Sequence, residues 1–428
     1  MTDDPNIASK IITNDPWFGS YAQRAETMRA SEIRALFAVA NRPEVVSLAG
    51  GMPYLGRMPF DQLSEEIGRM LRDQGEKAWQ YGSAQGDPHL REDVLPIMAM
   101  EGITNAQPDD VVIVNGSQSG LDLITRIMCN PGDVVLAEAP NYVGALGVFQ
   151  SFQVDVVNVP MDADGLVPEL LEETIKAQLA EGKHIKMLYT VPNFHNPAGV
   201  TMSRERRPKV LEIAKKYHIL ILEDNPYGLL GFDGQTYPAL RSMDSENVVY
   251  LSSFSKIIAP GMRVAWMVAP PGIRQKLVLA NESSILCPSN MSQMTITCYL
   301  DNFDWKAQIS DYRNMYRERR DAMDGALREY LPSCSWNKPE GGFYIWLRIP
   351  DGLDAKAMLP RAITAKVAYV SGTAFYNDGN GKDHMRLSFC YPTPERIVEG
   401  VRRLAGVIDR ELETINLFND ADAEPTSL

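Results

Sequence analysis

Between residues 111 and 268 the chain alternates short apolar runs with amphipathic stretches. The runs cover 111–114, 134–136, 154–159, 185–190, 219–222, 248–251 and 264–268, and most are rich in Val, Ile and Leu. Several are apolar almost without a break, the pattern of strands covered on both faces, whereas a half-solvated strand would alternate. Helical stretches between them turn the runs into successive strands of a mostly parallel sheet. The prediction is an α/β fold whose large domain is a seven-stranded, mostly parallel sheet flanked by helices.

The flanking regions read differently. A short helix is predicted from Ser31, a good N-cap, with Ile33, Leu36, Phe37 and Ala40 on one apolar stripe. A strand at 45–48 then runs into Ala49-Gly50-Gly51. Further on, Tyr312, Met315, Tyr316, Met323 and Leu327 recur at helical spacing within 304–330. That helix leads into runs at 342–347, 367–370 and 385–387 and a helix over 394–414, a smaller α+β domain built from both chain ends. The predicted organisation is an arm at 1–30, the start of the small domain with a substrate-closing helix at 31–59, the large domain at 60–305, the small domain at 306–418 and a disordered tail at 419–428.

Composition narrows the function. The 428 residues carry 42 basic and 55 acidic side chains, a formal charge of −13, which argues against nucleic acid or an anionic membrane as partner. The five cysteines are scattered, with no CxxC and no Cys/His pairing at metal spacing, so neither a disulfide framework nor a metal site is expected. An acidic N-terminus without an apolar leader, and no run near ~18 apolar residues, predict a cytoplasmic protein.

The chemistry lies where strands end, because open α/β sheets bind ligands beyond the carboxyl ends of their strands. The 111–114 strand runs into Asn115-Gly116-Ser117-Gln118-Ser119-Gly120 and a helix, a turn that suits a phosphate and equally suits an ordinary helix cap. It is not a Walker A loop, and Gln118 stands where a serine hydrolase would need its nucleophile. The next strand runs into Glu138-Ala139-Pro140-Asn141-Tyr142, which offers a ring to a planar ligand or to the core. The 185–190 strand meets Asn196-Pro197-Ala198-Gly199, a sharp turn that aims one amide at the strand ends and whose Asn-Pro bond is a candidate for cis. After 219–222 come Glu223 and Asp224, consecutive carboxylates that are costly at a buried strand end unless one meets a cation or a protonated heterocycle; the alternative is a helix N-cap at Asp224. After 248–251 come Ser252-Ser253-Phe254-Ser255-Lys256, with Arg263 seven residues on. Taken together these parts describe one ligand. Its aldehyde suits Lys256, its phosphate Ser117, Ser253, Ser255 and Arg263, its protonated ring nitrogen Asp224 and its ring face Tyr142. That ligand is pyridoxal 5′-phosphate.

With these motifs the chain resembles the fold type I, class I aminotransferases from 47–51 to the C-terminal helix. Asn196-Pro197-Ala198-Gly199, Glu223-Asp224-Asn225-Pro226-Tyr227 and Ser253-Phe254-Ser255-Lys256 are the most specific segments. Gln80-Tyr81-Gly82, Gly116-Ser117-Gln118 and Pro339-Glu340-Gly341-Gly342 point within the class to the 2-aminoadipate, kynurenine and aromatic aminotransferases. The resemblance implies a transaminase acting between an L-amino acid and a 2-oxo acid such as 2-oxoglutarate, by ping-pong chemistry. It makes Lys256, Asp224 and Tyr142 catalytic. Tyr81, Ser117, Gln118, Asn196, Tyr227, Ser253, Ser255 and Arg263 join them around the cofactor. Arg386 takes the substrate α-carboxylate, with Gly51 and Asn196 beside it, unless it serves a buried ion pair. Tyr81 would reach the phosphate of a neighbouring subunit, making a homodimer with shared sites. Arg34 either closes over the substrate to meet a distal carboxylate or is a solvated residue, and Arg57 competes for the same role. A β-lyase, decarboxylase or synthase of this fold is the rival reading. A DNA-binding regulator of related build is disfavoured because only an acidic arm precedes the core.

Overall fold

The computed structural model describes residues 15–26, 28 and 42–423. In chain order its strands are β1 (Val46–Ser47), β2 (Val111–Val114), β3 (Val134–Ala139), β4 (Asp155–Asp162), β5 (Gly165–Leu166), β6 (Ile185–Thr190), β7 (Leu220–Asp224), β8 (Val248–Ser253), β9 (Ala265–Val268), β10 (Ser335–Trp336), β11 (Tyr344–Arg348), β12 (Val367–Ala368), β13 (Val370–Ser371) and β14 (His384–Ser388). One sheet has the order β2-β9-β8-β7-β6-β3-β4-β5. Its seven longer strands are those the apolar runs predict. The eighth, β5, is a two-residue strand that turns back on β4.

The sheet is parallel through β4-β3-β6-β7-β8, but β9 runs antiparallel to both β8 and β2. The physical reason is connection length: the segment between β8 and β9 holds only a short turn and no crossover helix, so the chain must come back in the opposite direction. Side chains alternate faces with a period of two. Val112, Val114, Val249 and Leu251 pack with Leu121, Ile124 and Phe149, while Val111, Ile113 and Tyr250 pack on the opposite side with Leu90, Val94 and Ile97. Helices therefore cover both faces, as the unbroken apolar runs require.

The smaller sheet is antiparallel, in the order β10-β11-β14-β13, and β1 pairs with β12 in parallel, Val46 opposite Val367. This pairing brings the two ends of the chain together. The helix Trp305–Tyr330, capped by the Asp304 carboxylate on the Ala307 N–H, lays Tyr316, Met323 and Leu327 against Val401, Leu404 and Ile408 of the last helix. That helix spans Pro394–Ala423, beyond the expected end at 414 and into the stretch read from sequence as a disordered tail. Adding a residue to a formed helix needs no new nucleus, so a polar, Ala-containing stretch can prolong it. Residues 424–428 lie outside the described residues. In the arm, which the sequence suggests is extended, Phe18–Ser20 forms a 3-10 turn and Gln23–Glu26 one helical turn. The helix expected from Ser31, and Arg34 with it, lies outside the described residues. Among the described residues no helix is long and apolar enough to cross a membrane.

Candidate active site

The carboxyl ends of β7 and β8 and the turn after β6 open onto a cavity of about 640 Å³, closed from the other side by Tyr344 of β11, Arg386 of β14 and the loop at Gly51. It lies between the two sheets, where parallel strand ends leave a crevice.

The strand period decides between the paired carboxylates. Glu223 points away from the cavity, and its two oxygens accept the N–H groups of Leu240 and Arg241, each at 2.9 Å, capping the short helix Leu240–Met243. Asp224 points into the cavity. Its Oδ2 accepts from the Tyr189 hydroxyl at 2.9 Å, whereas its buried Oδ1 has no partner. Burial pushes the Asp224 carboxyl up to about 7, against the pull of the Tyr189 hydrogen bond and the Lys256 charge. The next residue anchors the strand end: the Asn225 side chain accepts from Asn193 at 2.9 Å and donates to Glu101 at 2.7 Å.

Lys256 follows β8 and donates from Nζ to the Gly51 carbonyl at 2.9 Å. Burial lowers its pKa to about 8, helped by the Arg386 and Arg263 charges and opposed by Cys390 and Asp224. At that value about a tenth of the amine is neutral at pH 7, and the neutral form is what a nucleophilic or proton-carrying amine requires.

Beside it the Ser253 hydroxyl accepts the Ser255 N–H at 3.0 Å and donates to the Ser255 hydroxyl at 2.8 Å. Arg263, left-handed at φ 54°, follows a 3-10 turn. Its guanidinium lies so close to Gly116 that a Cβ there would sit 2.0 Å from Nη2. Gly116, at φ 78°, caps the helix Ser117–Met128, whose first residues Ser117 and Gln118 line the cavity. Two hydroxyls, a guanidinium and a helix N-terminus thus converge on one corner, a cradle for a dianion. Gln118 also donates to the Gly144 carbonyl at 2.8 Å, tying this helix to the next.

Tyr142 lies on the cavity wall, with its hydroxyl pKa pushed up to about 12 by burial and by Asp224. The expected sharp turn at Asn196-Pro197 has a cis bond, and Ala139-Pro140, which the sequence did not single out for this, is cis as well. Asn196 Oδ1 accepts from Arg386 Nη1 at 2.9 Å, and the Ala49 carbonyl accepts from Nη2 at 2.7 Å. Arg386 is only 2% exposed, lies 4.2 Å from the Tyr344 ring centroid, and leaves Nε without a partner. No carboxylate among the described residues pairs with it, so the buried ion pair considered from sequence is absent there. The Tyr227 hydroxyl lies 3.5 Å from that of Tyr344, and burial holds its pKa well above the usual phenol value.

Two predicted residues stand apart. Tyr81 is 76% exposed and does not line the cavity. Arg57 pairs on the surface with Asp311 and does not line it either. Conversely, the sequence reading misses Tyr344, Tyr189 and Cys390. Tyr344 packs so tightly that a Cβ on Gly51 would fall 2.2 Å from its hydroxyl. Cys390 hydrogen-bonds the Met52 carbonyl at 3.1 Å and so holds the loop that carries Gly51. Strand alternation after Gly342 narrows the first to Phe343 or Tyr344; the other two carry no local signal.

The unpaired Asp224 oxygen, the unpaired Arg386 Nε, the partly neutral lysine and the dianion cradle fit pyridoxal 5′-phosphate and an amino acid carboxylate. The comparisons with known proteins agree. The family model "Aminotransferase class I and II" matches residues 44–404. Aromatic-amino-acid aminotransferase 1 of Thermococcus litoralis is 40% identical over 92% of this chain and 95% of its own. The crystal structure of Pyrococcus horikoshii kynurenine aminotransferase in complex with PMP superposes with a TM-score of 0.87 at 41% identity, covering 92% of this chain and 97% of that one. LysN, the alpha-aminoadipate aminotransferase of Thermus thermophilus, complexed with N-(5′-phosphopyridoxyl)-L-leucine, gives 0.86 at 32% identity over 94% and 100%. Likeness of this extent, together with the cavity, shows that the chain belongs to the class I and II aminotransferases and is a pyridoxal 5′-phosphate-dependent transaminase.

Proposed function

We propose that this transaminase takes its amino group from an aromatic, branched or 2-aminoadipate-like L-amino acid and passes it to a 2-oxo acid, 2-oxoglutarate in the first instance, by a ping-pong sequence in which donor and acceptor use one cavity in turn. The observation that carries the reading is the cation inventory of the cavity. Among the described lining residues only Lys256, Arg263 and Arg386 are cationic, while Met52, Val143 and Tyr344 supply apolar and aromatic surface. With Arg263 in the anion cradle and Arg386 free for an α-carboxylate, the rest of the wall suits an apolar or aromatic side chain. A distal carboxylate would need a further cation. Arg57 is engaged with Asp311 outside the cavity, which leaves Arg34, beyond the described residues, as the candidate. Relatives named for aromatic amino acids, 2-aminoadipate and kynurenine support this range of donors.

Bound pyridoxal 5′-phosphate supplies an aldehyde for the amino group and a ring that withdraws electrons from the substrate Cα. Asp224 Oδ1 would hold the proton on the ring nitrogen. Ser253, Ser255, Arg263 and the helix that starts at Ser117 would fix the phosphate, with Gln118 beside it. Tyr142 would support the ring, and Asn196 and Tyr227 its phenolic oxygen. Lys256 Nζ would take the proton from the substrate Cα and return it two atoms away, at the carbon that carried the aldehyde. Arg386, already aligned through Asn196 and Ala49, would hold the carboxylate with Nε and the remaining Nη hydrogens.

A homodimer with shared sites fits an exposed apolar face around Tyr81. Trp79, Tyr81 and Leu286 are exposed, and residues 80–82 are tied to the chain near Leu286 by Asn290 Nδ2 on the Gln80 carbonyl at 2.9 Å and the Gly82 N–H on Cys287 Sγ at 3.4 Å. A second copy covering this face would take Tyr81 toward its own phosphate cradle.

The test is a set of half-reactions with glutamate, 2-aminoadipate, phenylalanine and leucine on the wild type and on Arg34→Ala. A lost charge-assisted pair of roughly 1.5–3 kcal/mol lowers kcat/KM for the two dicarboxylates by about ten- to a hundredfold. Phenylalanine and leucine should change little. Equal losses for all four donors would refute Arg34 as the reader of the distal group.

A further inference from the structure

A second cluster lies outside the active site, where the helix Pro88–Ala99 meets the helix Asn290–Asn302. His89 and Asp93 sit one turn apart on the first helix, and Asp301 comes from the end of the second. His89 Nε2 lies 3.5 Å from Asp93 Oδ1 and 3.5 Å from Asp301 Oδ1. The ligating atoms of all three are within 4.8 Å of one another. Ligands about 2.0–2.1 Å from a tetrahedral ion stand roughly 3.4 Å apart, so these separations surround a space of metal-ion size.

Two further atoms point to a missing ligand. Asp93 Oδ2 and Thr297 Oγ1 are buried without a close hydrogen-bond partner, the Thr297 hydroxyl acting on the Asp93 carboxyl only from longer range. Thr297, only 8% exposed, lines the same cavity of about 200 Å³ as His89 and Asp301. The cations nearby are already engaged: Lys77 pairs with Asp87 at 2.8 Å and Arg69 with Glu66 at 3.0 Å. Two carboxylates therefore converge on one imidazole, and among the described residues neither pairs with a lysine or arginine. His89 and Asp301 keep enough exposure for water to fill the remaining coordination position.

We propose that His89, Asp93 and Asp301 bind one divalent transition-metal ion per chain. The mixed imidazole and carboxylate set favours zinc-like ions over calcium or magnesium. The ion joins the two helices that support the loop carrying Tyr81. Asp87 caps the first of them, its N–H donates to Gln293 on the second at 2.7 Å, and Asn290 holds the Lys77 and Gln80 carbonyls. The site is therefore a staple under that loop.

The experiment uses the full-length holoenzyme, stripped with a chelator and titrated with zinc against a chromophoric chelator, in parallel with His89→Gln and Asp301→Asn. The wild type should take up one equivalent of zinc per chain and show a raised Tm, because a ligand of the folded state stabilises it by mass action. Each variant should bind that equivalent at least about tenfold more weakly, lose the Tm response and keep wild-type transaminase activity without zinc. No uptake by the wild type, or equal uptake by wild type and variants, would overturn the assignment.

Discussion

Asp224→Ala should lower the rate of the amino-donor half-reaction by several orders of magnitude while the protein still folds and takes up its cofactor. The cause is the unpaired, buried Asp224 Oδ1. In the proposed role it would keep a ring nitrogen protonated, and without that proton the ring is a poor acceptor of the electrons freed at Cα. The same atom makes the chain without its cofactor sensitive to pH. The folded carboxyl titrates near 7 and the unfolded one near 3.8, so between those values the unfolded state sheds its proton first. Folding stability thus falls as pH rises through this window, by an amount on the order of 4 kcal/mol. Asp224→Asn should therefore stabilise the cofactor-free chain at pH 8 relative to wild type, read by urea unfolding, and should have little effect at pH 4. A rate loss for Asp224→Ala below about tenfold, roughly 1.4 kcal/mol of barrier, would assign the residue a structural role only.

Arg386→Lys should cost every donor alike, about a hundredfold or more in kcat/KM, without disturbing the absorption of the bound cofactor. Lysine keeps the charge but presents one compact ammonium where the guanidinium offers a planar fork. It cannot at once reach Asn196 Oδ1, the Ala49 carbonyl and a carboxylate, and leaving buried acceptors unpaired costs about 1–3 kcal/mol each. Parallel kinetics with leucine and glutamate decide the matter. A loss confined to glutamate would move Arg386 from the α-carboxylate to the distal group.

How much of this was legible beforehand depended on the physical origin of each feature. Strands buried on both faces declare themselves by apolar runs, so all seven longer strands of the large sheet were visible. The residues at their carboxyl ends named the cofactor, since fold and chemistry meet there. The direction of β9 was less visible, because it follows from the length of a connection. The ring-nitrogen role was legible at Asp224, but the alternative, a helix cap, fell on the same residue; the two-residue period of β7, placed against the helix at Leu240, gives the cap to Glu223 and turns Asp224 into the cavity. Tyr189 and Cys390 were invisible for another reason: each acts across a gap in sequence, on Asp224 from the neighbouring strand and on Met52 from the far end of the chain. Apolar patterning cannot register such contacts.

The amine at Lys256, held beside Gly51 with a pKa of about 8, is where the cofactor should be attached. Borohydride reduction of the holoenzyme followed by peptide mapping tests it directly. A single phosphopyridoxyl label is expected, on Lys256. Label on any other lysine, or none on protein that retains its visible absorption, would contradict it.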